Sequence, residues 1–374
     1  MTTITIPRIK KEIPLSIFIL GIIAVLGVYS MGIRWVQGLG IATNLSDTRP
    51  WGLWISFDLA VMAFSGSAFT LAALTHMFHR YKYHNIARIA LVSGFVGYIS
   101  AAAALTVELG RPERLWHYFF YWNPHSPLFE VGMCVITYLL ILTLEFLPML
   151  FEKLEWHSAH KFLHYFEIPI VAAGIILSSG HQSSLGAISL ALPLKLHALW
   201  YSPMLPLIFF ISAMTSGFAM AITVGLLGLR FFDDWHFKPG VFSGLGRLLL
   251  VFLSATLLLK IGDLAVAGEL GLIFENSYQS KMFIIENLLG YVLPIIILLI
   301  PKYKNCRLWI FRAGILSVMG LVIHRINVSF VGLAGAEYYP TWQEVLSTAG
   351  LFSIGVILFW VVAKNIPLME EEKE

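Results

Sequence analysis

The sequence predicts an all-α polytopic membrane protein. Ten transmembrane helices are expected, as two four-helix bundles related by a parallel repeat, with a C-terminal helix pair. Three observations carry this expectation. Of 374 residues, 58% are hydrophobic and 13% are charged, where a soluble domain carries roughly 25% charged residues. The apolar residues gather in ten stretches of about 20, the length that crosses a bilayer. Each stretch is a continuous run and not an alternating strand, which excludes a β-barrel. A mean hydropathy of +0.78 also excludes an ordinary cytosolic enzyme and a disordered chain. A net charge of +3 builds no basic stripe for nucleic acid.

The first run, 13–36, follows a short basic amino end and is too long for the apolar core of a secretory signal, so it reads as a span. Arg49 and Pro50 precede the second run, 51–78, which gives way to His79 and Arg80. The third, 86–106, closes at Glu108-Leu109-Gly110-Arg111-Pro112. The fourth covers 128–150 and is followed by Glu152 and Lys153. The fifth, 162–179, is expected to stop where Gly180 breaks the helix before His181. The sixth, 204–231, starts after Pro203 and ends before Asp233-Asp234. The seventh, 241–264, follows Pro239-Gly240 and is expected to be interrupted at Gly262-Asp263. The eighth, 282–300, stops at Pro301; the ninth covers 308–330; the tenth, 345–363, begins just after Trp342 and Glu344. The divisions expected are 1–150 for the first bundle, 151–301 for the second, and 302–374 for the C-terminal pair and a cytoplasmic tail.

Orientation follows from the basic residues of the joints. One side receives Arg8, Lys10, Lys11, Arg80, Lys82, Arg88, Lys153, Lys161, Arg230, Lys238, Lys302, Lys304, Arg307 and Lys364; the other receives only Arg34, Arg49, Arg111, Arg114, Lys195 and Lys281. The richer side is expected to be cytoplasmic, with both termini on it, in a cytoplasmic membrane. Span two contains Phe64-Ser65-Gly66-Ser67-Ala68-Phe69 and span six Thr215-Ser216-Gly217-Phe218-Ala219-Met220. The four-helix offset is even, so the repeat is parallel about an axis along the membrane normal. Small residues at these places also suit tight helix packing by itself.

An ionisable group in hydrocarbon costs about 2.5–3.5 kcal/mol on insertion scales, so it usually has a task or a partner. Most of them here fall in the outer leaflet. Asp58 lies about two turns into span two with no partner nearby in sequence. Glu108 and Glu130 face the outer end, as do His181 and Gln182. Lys260 and Asp263 are three residues apart on one helix face and either neutralise each other or serve a path. His324 and Arg325 lie in the outer part of span nine. Glu286 and Glu344 read equally as interfacial residues. Inward, only Glu145, Glu167 and a fringe of histidines remain. Such a collection builds a polar cavity for proton-coupled chemistry or an ion. Histidine titrates near neutrality and suits proton exchange. The two cysteines, Cys134 and Cys306, share no motif and cannot ligate a cluster. Haem would need an axial pair such as His181 and His324 at one depth; no haem is expected, and no metal.

The segments Arg49-Pro50-Trp51-Gly52-Leu53-Trp54-Ile55-Ser56-Phe57-Asp58, Glu108-Leu109-Gly110-Arg111-Pro112, His181-Gln182-Ser183-Ser184-Leu185-Gly186 and Tyr339-Pro340-Thr341-Trp342-Gln343-Glu344 resemble the NrfD/PsrC family of quinone-interacting membrane subunits. The last two fit its ten-helix, HybB-like branch, and the likeness covers nearly the whole chain. Related subunits occur in the Hmc, Qrc and Dsr complexes of sulfate reducers. The resemblance implies a quinone, usually menaquinone, bound near the outer face, with no haem and no cluster in this chain. It implies a ferredoxin-like iron–sulfur subunit docked above, and a periplasmic catalytic subunit further out. The joints 110–127 and 180–203 then become the docking surface, with Trp116, Tyr118, Phe119, Phe120, Tyr121, Trp122, Trp200 and Tyr201 either interface anchors or a membrane belt.

On this reading His181 and Asp58 hydrogen-bond the quinone oxygens and move protons. Trp51, Glu108, Arg111, Glu130, Gln182 and Ser183 shape the pocket, and Glu145, Glu167, Lys260, Asp263, His324 and Arg325 are candidates for a proton path. The subunit is expected to be inactive alone. A secondary transporter and a structural anchor without a quinone site remain alternatives; a transporter should show helices interrupted near the midplane.

Overall fold

The computed structural model describes residues 14–47, 49–191, 196–333 and 338–369. The basic amino end and Lys195 lie outside these residues. Among the described residues, ten helices have the length and apolarity to cross a membrane, if one bent pair counts as a single span. They are α1 (Leu15–Gln37), α2 (Leu53–Ala72), α3 (His84–Glu108), α4 (Pro127–Lys153) and α5 (Glu167–Ala191). Then follow α6 (Leu205–Phe231), α7 (Val241–Ala267), α8 (Tyr278–Leu299), α9 (Arg307–Ile326) and α10 (Trp342–Asn365). Among the described residues the only extended pairings are isolated bridges, Ser46 with Arg49 and Leu196 with Leu333.

Two expected breaks are absent. The helix α5 begins at Glu167, after a 58° bend from the short helix His157–Tyr165, and runs through Gly180 and His181 to Ala191. The helix α7 runs past Gly262 and Asp263 to a left-handed cap at Gly268. The reason is the solvent. In hydrocarbon an unsatisfied backbone group costs several kcal/mol, whereas a glycine inside a helix costs only about 1 kcal/mol. Serines nearby stay helical by bonding back one turn, Ser179 to the Ile175 carbonyl at 2.7 Å and Ser189 to that of Leu185 at 2.9 Å.

The grouping of helices also differs from the expected divisions. Helices α2, α3, α4 and α5 pack in a closed ring, and α6, α7, α8 and α9 pack in a second. The rings meet along α2 and α6. The last two helices do not form a pair of their own. Instead α9 completes the second ring, and α10 lies along α1 and against α3. The expected boundaries at 150 and 301 therefore fall one helix too early, because α1 is taken by α10. Glycines set that contact: a Cβ on Gly350 would sit 2.5 Å from the Cα of Gly27. Gly290 of α8 and Gly320 of α9 touch in the same way, with 2.6 Å between a Cβ on Gly290 and the Cα of Gly320. Overpacking such a crossing costs about 1–3 kcal/mol. Gly350→Leu is accordingly expected to lower the thermal midpoint in detergent. Gly21→Leu, whose site has no atom within 4 Å, should leave it in place.

Candidate functional site

The first ring encloses a column of polar side chains. Asp58 of α2 is 3% exposed, and its Oδ1 has no hydrogen-bond partner. One turn inward on the same face is Met62, where α5 makes contact. The His181 Nε2 lies 3.2 Å from the Met62 Sδ, and the Gln182 amide donates to the Met62 carbonyl at 3.0 Å. These contacts use one end of each side chain. His181 Nδ1 and Gln182 Oε1 stay buried without partners. Tyr98 of α3 stands 6.0 Å from the His181 ring and 4.9 Å from that of Tyr138 on α4. Asp58 is among its electrostatic neighbours. The hydroxyls of Tyr98, Tyr138 and Ser178 are buried, and none makes a direct hydrogen bond of good geometry.

Above this column, towards the end that carries fewer basic residues, the acids converge. Glu108 closes α3 within electrostatic reach of Asp58, Glu344 and Arg34. Arg34 of α1 is 3% exposed and donates to the Leu109 carbonyl at 2.5 Å. Glu344 forms a capping box with Thr341 at the start of α10 and accepts from the Tyr338 hydroxyl. That hydroxyl also accepts from the Leu53 N–H at 3.0 Å, which ties the end of α2 to the last joint. Burial, and then the bond to Glu344, push the Tyr338 phenol above its ordinary pKa, so it stays a donor.

The other expected pocket residues are more dispersed. Trp51 is half-buried against the apolar cluster that holds Met62, Tyr98 and Tyr138. Ser183 is half-buried, and its neighbour Ser184 makes the polar contact, donating to Glu130 Oε1 at 2.7 Å. That bond fastens α4 to α5 at the exposed rim. Arg111 is exposed in the outer joint. The structure thus brings Asp58, His181 and Gln182 together, sets Glu108 above them, and leaves Arg111 and Glu130 at the surface.

A second polar centre lies in the other ring. Glu286 of α8 is fully buried and accepts from Lys260 of α7, from Trp200 Nε1 at 2.9 Å and from Asn327 at 2.7 Å. The His324 Nδ1 of α9 is 2.9 Å from the same carboxylate. Arg325 lies over the Phe209 ring at 3.5 Å and donates to Ser212 at 3.1 Å. Turns of π-helix at Leu288–Val292 and Asn327–Val331 begin two residues after Glu286 and Arg325; such turns are frequent at functional sites. Lys260 therefore pairs across helices with Glu286. Asp263 lines a cavity of about 10 Å³ beside Lys260, His324 and Trp200. Trp200, expected at the docking surface, is 4% exposed and belongs to this centre.

The larger cavity, about 360 Å³, opens at the opposite, basic end of the first ring, and both Glu145 and Glu167 line it. Sequence reasoning misses Arg34, Met62, Tyr98, Tyr138 and Ser178. A lone arginine at a helix end, and aromatics in apolar runs, carry no signal that separates them from anchors and core.

These features define a class: a polytopic membrane protein with two buried polar centres, one in each helix ring. The chain belongs to the NrfD family; the profile described as polysulphide reductase, NrfD, matches residues 42–335. It is similar to the probable Ni/Fe-hydrogenase 2 b-type cytochrome subunit of Escherichia coli K12, with 31% identity over 97% of this chain and 95% of that one. It is 28% identical to the integral membrane subunit of a menaquinone reductase from Nitratidesulfovibrio vulgaris Hildenborough, over 93% of this chain and 90% of that one. It is also 28% identical to a selenate reductase subunit of Mesobacillus selenatarsenatis, over 95% and 94% respectively.

Proposed function

We propose that this chain is the quinone-reactive membrane subunit of a respiratory oxidoreductase complex. It exchanges two electrons and two protons with menaquinone near the outer face. One observation carries the reading. Asp58 Oδ1, Tyr98 Oη, His181 Nδ1 and Gln182 Oε1 are buried within one helix ring without partners. Leaving such groups unpaired costs about 1–3 kcal/mol each, so a site that keeps four of them suits a ligand with its own carbonyl and hydroxyl groups. The quinone supplies the redox chemistry. His181 and Asp58 hydrogen-bond its oxygens and exchange protons with them, Gln182 orients it, and Glu108 and Arg34 shape the approach from outside. The name of the menaquinone reductase relative favours the same substrate.

Electrons pass to or from a ferredoxin-like iron–sulfur subunit on the outer face, beneath a catalytic oxidoreductase subunit. Trp116, Phe119, Phe120, Tyr121 and Trp122 are all exposed on the α3–α4 joint and suit that docking. No haem is assigned to this chain. His181 and His324 stand in different rings, with Nε2 of the first against Met62 and Nδ1 of the second against Glu286. A reduced-minus-oxidised spectrum of the purified chain is expected to lack a haem α-band; a band in proportion to protein would overturn that assignment.

The test is purification from native membranes in mild detergent, followed by a titration of the complex with menadione, read by tryptophan fluorescence. Co-purification with an iron–sulfur subunit and saturable quenching is the expected result. Recovery of the chain without partners would undo the reading. Partners without quinone binding would leave a structural anchor.

A further inference from the structure

The bent pair at the fifth span holds more helix than a bilayer needs. Helix α5 has 25 residues, about 37 Å at 1.5 Å per residue, and crosses a hydrocarbon core of roughly 30 Å alone. The short helix His157–Tyr165 therefore lies beyond that core, at the basic end. Its 58° bend turns it from the direction of α5 towards the membrane plane. Both its ends are fastened. Trp156 stacks on Phe151 of α4 with 5.6 Å between ring centroids, and its N–H donates to the Phe151 carbonyl at 3.0 Å. At the other end His164 Nδ1 lies 2.7 Å from Glu167, the first residue of α5.

Helical spacing divides this segment into three faces. His160 and Leu163 point inward and line the cavity of the first ring. Phe162, Tyr165 and Phe166 form the second face. The Phe166 ring sits 5.3 Å from that of Phe162 and 5.1 Å from that of Tyr165, so the three rings make one platform. Little protein covers it, since Phe162 is 65% exposed and Tyr165 82%. The third face carries His157 and Lys161, four residues apart and both exposed. A helix with an aromatic face beside a basic one has the pattern that seats in a membrane interface. Charge then selects the lipid. The joints at this end, 78–83 and 152–166, expose Arg80, Lys82, Lys153 and Lys161. Their acids are Glu152 and Glu155, and Glu152 is taken by Arg88 at 2.7 Å.

We propose that the short helix His157–Tyr165 is a binding site for anionic phospholipid. Its aromatic platform enters the leaflet between acyl chains. Its basic face, with Lys153 beside it, holds the phosphate of a headgroup of net negative charge. A zwitterionic lipid suits the platform equally but leaves the lysines without a counter-charge. Each lysine next to an anionic surface strengthens binding about fivefold. The surface lies at the opposite end of the molecule from the quinone site and does not depend on it.

The test is native mass spectrometry of the purified protein with whatever partners it retains, titrated with palmitoyl-oleoyl phosphatidylglycerol or with the phosphatidylcholine of the same chains. Phosphatidylglycerol is expected to bind saturably and several-fold more tightly. Lys153→Gln with Lys161→Gln changes two exposed side chains. It should weaken the tightest phosphatidylglycerol site about 25-fold, fivefold for each charge, and leave phosphatidylcholine unchanged. Phe162→Ser with Tyr165→Ser should weaken both lipids. Equal binding of the two lipids by the wild type would overturn the site. So would an undiminished preference in the lysine variant, which would place the anionic lipid elsewhere. Photoreactive benzoylphenylalanine in place of Phe162 reads the occupant in native membranes. Crosslinks to phospholipid are expected; a crosslinked protein chain would make this face a subunit interface instead.

Discussion

Asp58→Asn and His181→Ala are each expected to lower quinone-linked turnover by about 10²-fold or more, the usual contribution of a positioned acid or base, while the complex still assembles. Asn keeps the shape of Asp58 and its ability to hydrogen-bond but cannot take up and release a proton. Because Oδ1 has no protein partner, the exchange breaks no hydrogen bond at that oxygen. His181→Ala removes the contact with the Met62 sulfur, a weak acceptor, together with the ring contact with Tyr98. Oxidation of menaquinol by the purified complex measures the effect. The partner's own activity with a soluble dye should be unchanged. Full turnover in both variants would remove these residues from the site.

Asp58 is legible in the sequence because a carboxylate inside a continuous apolar run is costly wherever it lies, and its depth follows from helix rise alone. The ten spans are legible for the same reason. His181 stands out by type, but its setting does not. The Gly180-His181 pair looks like a helix end by the rules of water, whereas in hydrocarbon the ladder of α5 cannot stop there. Partners across helices are beyond reach. Lys260 and Asp263 share a helix face, yet Lys260 pairs with Glu286, 26 residues on. Tyr98 and Tyr138 read as two more aromatics among many. Only the closing of α2–α5 into one ring sets them between His181 and Ser178. The grouping itself turns on Gly27 and Gly350, whose backbone contact draws α1 away to α10.

Glu286→Ala is expected to destabilise the protein by about 3–5 kcal/mol, the usual loss when one partner of a buried ion pair is removed. The carboxylate is the common acceptor for Lys260, Trp200 and Asn327, with His324 beside it. Without it Lys260 is left charged near Arg325, with no carboxylate to offset either. The double variant Lys260→Met with Glu286→Gln should recover much of the loss, since the pair itself adds little over apolar contact; a cycle with Lys260→Met alone and Glu286→Gln alone isolates that coupling. The half-life of menadione binding at raised temperature is a suitable measure, because membrane complexes often unfold irreversibly. The same variants separate two roles for the second ring. A fixed ionic clamp predicts that turnover before heating stays near wild type in Glu286→Gln wherever the protein folds. A proton path through Lys260, Asp263, His324 and Arg325 predicts the opposite, with turnover lost and stability kept. The density of donors on Glu286 favours the clamp. A mobile proton needs a carboxylate that can be freed, and this one is held by Lys260 of α7, Trp200 of the α5–α6 joint, and His324 and Asn327 at the end of α9.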